Sequence, residues 1–243
     1  MPKTDFALQF KKTTPDKDGL PVIIVAAGSS SRMQGIDKLF APIGGIPVIA
    51  RTLRGFENSP LVSEITVVTR KDKQSDISLI AEKYAIGKLK QIVEGGSCRE
   101  ESVKNGVCLY KGREDKVLVH DAARPFITGK VIENVVLALR TSDSVTCAVT
   151  VKDTVKTVDE NGVVVSTLDR SHLAAVQTPQ GVSVAKFLEI AESAEDLAIF
   201  TDDTAVMESA GIQTQIVEGD YNNIKLTTPE DMVVAEALVE KEW

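Results

Sequence analysis

Short apolar runs alternate with amphipathic stretches along most of this chain, and the joins between them are only a few residues long. Val22 to Val25 predicts a buried strand, because an unbroken β-branched run suits a segment covered on both faces. It empties into Ala26, Ala27 and Gly28, and then into Ser29, Ser30 and Ser31. Pro47 falls in the first turn of a predicted helix that ends near Asn58-Ser59-Pro60. Glu64 to Thr69 is strand-like, Ser75 to Tyr84 helix-like with Ile77, Ile80, Ala81 and Tyr84 on one face, and Leu89 to Val93 strand-like again. A helix from about Cys98 to Tyr110 precedes a buried strand over Lys116 to His120, and Thr128 or Gly129 opens a helix running to Arg140. This alternation predicts an α/β, Rossmann-like, mostly parallel sheet covered by helices on both faces, with ligands beyond the carboxyl ends of its strands. The Gly28, Gly95 and Asp121 loops then share one rim.

The rhythm changes after a strand over Val145 to Val149. Val151 to Thr157 and Val163 to Leu168 alternate around the turn Asp159-Glu160-Asn161-Gly162, which predicts a protruding β-hairpin arm able to cover a site or bind a second subunit. Thr178-Pro179-Gln180-Gly181 is loop-like, Ser183 to Glu192 helical, and Asp202-Asp203-Thr204 caps another helix. Ile212 to Val217 is a strand, and Thr228 with Asp231 and Pro229 opens a last helix to about Glu240. The expected organisation is a polar, disordered N-terminal extension over 1–20 and one domain over 21–243 that includes the arm at 151–172.

Charge narrows the partners. With 28 basic and 35 acidic side chains and a formal charge of −7, the 243-residue chain does not offer the broad basic face that nucleic acid requires. No apolar run approaches a membrane span and no signal-peptide pattern opens the sequence, so a soluble cytoplasmic protein is expected. Cys98, Cys108 and Cys147 form no C-x-x-C pair, and His120 and His172 are too few for a zinc cluster.

The rim is where chemistry gathers. Gly28, Ser30, Arg32, Lys38, Gly96, Arg99, Ser102, Asp121, Arg124 and Lys225 combine small residues, hydroxyls and cations with one carboxylate. Such a set suits phosphoryl or nucleotidyl transfer, which needs charge neutralisation and alignment more than a covalent nucleophile. Asp121, leaving an apolar strand, is placed to hold Mg²⁺ that is also bound by a triphosphate. Neither G-x-G-x-x-G nor the Walker pattern occurs in the first loop, and no serine or cysteine has both a base and an oxyanion loop. His120 reads as a packed, hydrogen-bonded core residue, and Asp202 and Asp203 as helix caps rather than metal ligands.

The succession AAGSSSRM with Lys38, EGGSCREESV, VHDAARPF, KDTVK, TLDR, QTPQG, TDDTAV and EGDYNNIKLTTPEDM resembles the 2-C-methyl-D-erythritol 4-phosphate cytidylyltransferase family and its sugar-phosphate cytidylyltransferase relatives. The likeness runs from about Pro21 to the C-terminus. It implies that Ala26, Ala27, Gly28, Gly96, Ser97 and Ser102 surround the nucleotide of CTP, a set to which the rim position adds Arg99. Arg32 and Lys38 would bind the triphosphate, Lys225 would assist, and Asp121 would organise Mg²⁺ and the sugar phosphate. Thr154 and Arg170, from the arm of a neighbouring subunit in a homodimer, would grip the acceptor's phosphate, with Thr178 nearby and Arg124 bracing the rim. The alternatives are ribitol 5-phosphate as acceptor, or a nucleotide-binding regulator without catalysis. Two departures stand out: Asp37-Lys38-Leu39 where the family has Pro-Lys-Gln, and Asn222 where it often has Asp.

Overall fold

The computed structural model describes residues 19–28 and 37–240. Arg32, the three serines of the first loop and the N-terminal extension up to residue 18 therefore lie outside the described residues.

In chain order the elements are β1 (Leu20–Ala26), a small antiparallel pair β2 (Pro42–Ile43) and β3 (Ile46–Pro47), α1 (Val48–Glu57), β4 (Val62–Thr69), α2 (Gln74–Lys83) and β5 (Leu89–Glu94). Then come α3 (Arg99–Cys108), β6 (Lys116–Asp121), α4 (Gly129–Leu139), β7 (Ser144–Thr150), β8 (Lys156–Val158), β9 (Val164–Thr167) and β10 (Ala174–Ser183). The chain continues through α5 (Val184–Ser193), α6 (Asp203–Ser209), β11 (Gln215–Glu218) and α7 (Pro229–Glu240). Seven strands form one sheet in the order β11-β7-β10-β6-β1-β4-β5. All neighbours run parallel except β10, which is antiparallel to both β6 and β7.

The unbroken apolar runs follow from burial on two faces. Val22 and Ile24 of β1 pack with Ile49, Leu53 and Phe56 of α1 and with Ile132 and Val135 of α4 in one cluster. Ile23 between them faces the other cluster, with Val103 and Val107 of α3, Phe187 of α5 and Met207 of α6. Each such large side chain, fully buried, stabilises the fold by roughly 1.5–3 kcal/mol. Gly106 of α3 brings that helix against the sheet: a Cβ there would lie 2.6 Å from Cγ2 of Ile23 and 3.1 Å from Cγ2 of Val68.

Strand order places the site. From β1 the chain moves outward through β4 to β5, then returns to lay β6 on the opposite side of β1. The crevice at the carboxyl ends of β1 and β6 is therefore the point where the winding reverses, the usual ligand position in open α/β sheets.

Three sequence expectations need correction. Thr178-Pro179-Gln180-Gly181 is not a loop but the middle of β10, with Gln180 opposite Val119 and Gly181 opposite Leu118. The turn-like residues mark an irregularity, since the register with β7 slips between Val176 and Gln180 and Pro179, lacking an N–H, falls in the gap. The arm is a real antiparallel hairpin, but its paired strands are only β8 and β9, with the Asp159 carboxylate accepting the N–H groups of Asn161 and Val163 across the turn. Cys98 and Pro47 stand just outside their helices as caps rather than within them.

Candidate active site

The site is built around the last residue of β6. Asp121 is almost fully buried, and cations approach its carboxylate from three directions. Nε of Arg99 donates to Oδ1 at 3.2 Å, Nζ of Lys225 lies 2.7 Å from Oδ2, and Nε of Arg124 is 3.9 Å from Oδ2. Burial resists ionisation of this carboxyl, but Arg99, then Lys225 and Arg124, outweigh it and hold the group well below the usual carboxylate range. Asp121 is an anion at any pH near neutrality.

One stretch after β11 stitches the remaining candidates together. Nη1 of Arg124 donates to the Asn223 carbonyl at 2.8 Å, the Leu226 N–H donates to the Ala123 carbonyl at 2.9 Å, and Nδ2 of Asn223 donates to the Thr178 carbonyl at 2.8 Å. Nζ of Lys38 reaches the same stretch, donating to the Leu226 carbonyl at 2.7 Å. The fold thus brings Lys38, Asp121, Arg124, Thr178 and Lys225 to one place, across sequence separations as long as 188 residues. Asp37 caps the turn before β2, accepting the Leu39 N–H, and pairs with Nη2 of Arg70 at 3.3 Å. Asn222 donates its N–H to the Asp220 carboxylate, and Asn223 donates its own to the Asp220 carbonyl, a tight local turn that delivers Lys225 to the rim.

Behind Asp121, His120 is completely buried, with its ring edge-on to Phe56 at 4.8 Å. Nε2–H donates to the Arg124 carbonyl at 3.2 Å, while Nδ1 accepts from the Thr178 hydroxyl at 3.0 Å. That hydroxyl in turn accepts the Asp121 N–H at 3.1 Å. Burial pushes the imidazole down to about 3, so it is neutral and positions its neighbours rather than exchanging protons.

The nucleotide candidates lie beside the same rim. Ala26 ends β1, and Ala27 and Gly28 follow it. A Cβ at Gly95 would lie 2.6 Å from the Ala27 Cβ and 2.8 Å from the Ser102 hydroxyl, so only glycine lets these two loops meet. Ser102 shapes the loop: its hydroxyl accepts the Gly96 N–H at 3.0 Å and donates to the Cys98 carbonyl at 2.9 Å. Ser97 donates both its N–H and its hydroxyl to the Glu101 carboxylate at 2.7 Å, which holds that carboxyl below its usual range, while the N-cap Cys98 accepts the Glu101 N–H on its Sγ at 3.4 Å. A cleft of about 540 Å³ opens here, lined by Ala27, Glu94, Gly95 and Gly96 on one side and Arg70, Lys71 and Asp72 on the other.

The structure places other candidates elsewhere. Thr154 and Arg170 stand exposed on the arm, where Nη1 of Arg170 donates to the Lys152 carbonyl. Arg99 turns its guanidinium to Asp121 and, through both Nη atoms, to the Asp203 carboxylate at 2.8 and 2.9 Å. Asp202 caps α6 by accepting the Ala205 N–H at 2.7 Å, but Asp203 is more than a cap. Sequence reasoning missed it, along with Gln177 and Gln180, whose amides hold the backbone at Asp220 and at Asp203-Thr204.

Among the described residues no three His, Cys, Asp or Glu side chains gather in a metal-binding group. The donor set still fits magnesium, which is commonly held by one or two carboxylates together with substrate phosphates rather than by an all-protein cage. Asp121 is an ionised carboxylate at this rim, and its Oδ2 partner Lys225 is partly exposed.

Comparison with known proteins places the chain in one family. The sequence profile of the 2-C-methyl-D-erythritol 4-phosphate cytidylyltransferase family matches residues 20–241. The enzyme of that name from Bacillus cereus (strain ATCC 14579) is 46% identical over 220 residues, covering 90% of this chain and 96% of the relative, and the one from Clostridium botulinum is 41% identical over 222 residues, covering 90% and 97%. The crystal structure of 4-diphosphocytidyl-2C-methyl-D-erythritol synthase from Anaerococcus prevotii superposes with a TM-score of 0.81 at 32% identity, covering 92% of this chain and 96% of that one. The Thermus thermophilus cytidylyltransferase superposes with a TM-score of 0.74 at 28% identity, covering 91% and 99%. With a matched profile over nearly its whole length and a rim built from the residues that first suggested the likeness, this chain belongs to the 2-C-methyl-D-erythritol 4-phosphate cytidylyltransferase family.

Proposed function

We propose that the protein transfers the cytidylyl group of CTP to 2-C-methyl-D-erythritol 4-phosphate, giving 4-diphosphocytidyl-2-C-methyl-D-erythritol and pyrophosphate. The observation that carries this reading is the convergence of Lys225, Arg124 and Arg99 on the buried anion Asp121, with Lys38 bonded to the adjoining Leu226 carbonyl, at the winding reversal and beside the glycine loop. An oxygen of the acceptor's phosphate attacks the α-phosphorus in line. The new P–O bond forms as the bond from that phosphorus to the bridging oxygen breaks, and pyrophosphate leaves with the electron pair. The acceptor is already an anion at neutral pH, so no strong general base is needed, in keeping with a neutral His120.

The protein's task is to hold two polyanions together. Lys38 and Lys225, with Arg32 from the first loop, neutralise the triphosphate and favour the charge that concentrates on the α-phosphate oxygens, each contributing a few kcal/mol or about 10²–10³ in rate. The neutral backbone and small side chains at Ala26, Ala27, Gly28, Gly96 and Ser97 admit the nucleoside, with Ser102 fixing the loop. Asp121 would hold Mg²⁺, which supplies charge neutralisation to the triphosphate when bound. Thr178 and Arg124 line the acceptor side.

The arm completes the reading. Val158, Val163, Val164 and Val165 are all more than half exposed on it, an apolar surface out of place in water and suited to a second copy of this chain. In such a homodimer Thr154 and Arg170 would reach the acceptor phosphate in the partner's site. Among the described residues no helix is long and apolar enough to cross a membrane. The test is pyrophosphate release from CTP with each acceptor, with and without magnesium. Turnover with methylerythritol phosphate that needs magnesium supports the reading; preference for ribitol 5-phosphate, or nucleotide binding without release, overturns it.

A further inference from the structure

Arg99 lies in the first turn of α3 with its guanidinium between two buried carboxylates that are far apart in sequence. A guanidinium offers a carboxylate its tightest grip through two parallel N–H bonds, and Asp121 is within reach of such a grip. It does not receive one. The two Nη atoms of Arg99 are taken by Oδ1 and Oδ2 of Asp203, and Asp121 is left with the single bond from Nε to Oδ1. Oδ2 of Asp121 is thereby open to Nζ of Lys225.

Asp203 is itself held rigidly. It opens α6, its N–H donates to Oε1 of Gln180 at 2.9 Å, the next N–H, of Thr204, donates to the same oxygen, and Asp202 caps the helix. Val206 and Met207 anchor α6 in the core. The Asp203 side chain is 1% exposed, and its bidentate pair with Arg99 is the kind of buried ion pair that is costly to break from one side. Burial acts against the charge on Arg99, but Asp203 and then Asp121 outweigh it and hold the guanidinium well above its ordinary range.

The geometry points to Asp203 as a positioning residue of the transfer reaction: by engaging both Nη atoms of Arg99 it limits that arginine to one oxygen of Asp121 and keeps the other for Lys225. Without Asp203, Arg99 is released to close on both oxygens of Asp121 and displace Lys225, or to leave the site. Either movement shifts groups at the rim by an ångström or more, which can cost about a hundredfold in rate. In this assignment Arg99 is a strut between carboxylates and not a ligand of the nucleotide.

The inference rests on the cytidylyltransferase reading, which wild-type turnover tests by itself; the ratio of variant to wild type tests the role of Asp203. D203N is expected to lower kcat roughly ten- to a hundredfold, with the KM for CTP changed less than about threefold. R99K keeps the charge but cannot bridge two carboxylates through a fixed fork, and is expected to show the same pattern. In an R99Q background, adding D203N should produce no further loss, because Asp203 acts only through Arg99. Wild-type kcat in R99K, a rise confined to the KM for CTP, or losses that multiply in the double variant would each overturn the assignment. R99K decides the matter alone if D203N fails to fold by thermal melting.

Discussion

Acidification should destabilise this protein through His120, and the size of the effect can be worked out. The folded imidazole sits at about 3 against an ordinary value of 6.5, because burial penalises its charged form. Groups facing it act in both directions: the Arg124 carbonyl and Asp121 favour the proton, while the Arg124 guanidinium opposes it. Between those two values the unfolded chain binds a proton that the folded chain refuses, so stability falls as pH falls, by about 1.4 kcal/mol per pH unit. From pH 7 to pH 5 the loss from this one residue is about 2 kcal/mol. Asp121 contributes nothing to the slope in that window, since its carboxyl is held below the usual range in the folded state and ionised in both states. Urea unfolding at the two pH values, for the wild type and for H120Q, isolates the effect: the variant lacks the titrating group but retains an amide able to donate to the Arg124 carbonyl. The wild type should lose about 2 kcal/mol more than the variant over the interval. Equal pH dependence in the two proteins would mean that His120 is not held neutral by burial, and the positioning role given to it would fall.

Removing the ammonium in K225M should lower kcat for pyrophosphate release by about 10²–10³, since a cation aimed at developing charge is lost. In G106A the new methyl group would press on Ile23 and Val68, costing roughly 1–3 kcal/mol in urea unfolding, with kcat little changed because the contact lies in the packed core between α3 and the sheet. On the proposed arm-mediated dimer, V165E is expected to leave a monomer in sedimentation and to lower turnover, since Arg170 would then be withheld from the partner's site; an unchanged oligomeric state would count against that dimer.

Much of the fold was legible because burial on both faces writes itself into a strand as an unbroken apolar run. β1, β4 and β6 read that way, and the alternation of Val22, Ile23 and Ile24 between two helix layers is the physical reason. The small residues after β1 and the glycines after β5 were legible for a related reason: loops that must meet at a rim cannot carry bulk. β10 escaped notice because its central segment carries Thr178, Pro179 and Gly181, residues that ordinarily mark a turn, and a proline argues against an interior strand. The slipped register against β7 removes that objection, and only the pairing of strands distant in sequence reveals it.

The same irregular strand explains what was hidden in the site. Gln177 and Gln180 follow no helical or strand period and look like unremarkable polar residues, yet both are buried and most of their amide bonds go to other parts of the chain. Gln177 bonds the Asp220 backbone in both directions and so fixes the turn that delivers Lys225. Gln180 accepts from the first two N–H groups at the start of α6 and donates to Thr146 and Asp202, fixing the residue that grips Arg99. A regular β10 would point residues 177 and 180 to opposite faces, since side chains alternate along a strand. The slip between Val176 and Gln180 breaks that alternation. One distorted strand can then steady the lysine on one side of Asp121 and the arginine on the other, which gives a physical reason for turn-forming residues in the middle of a sheet.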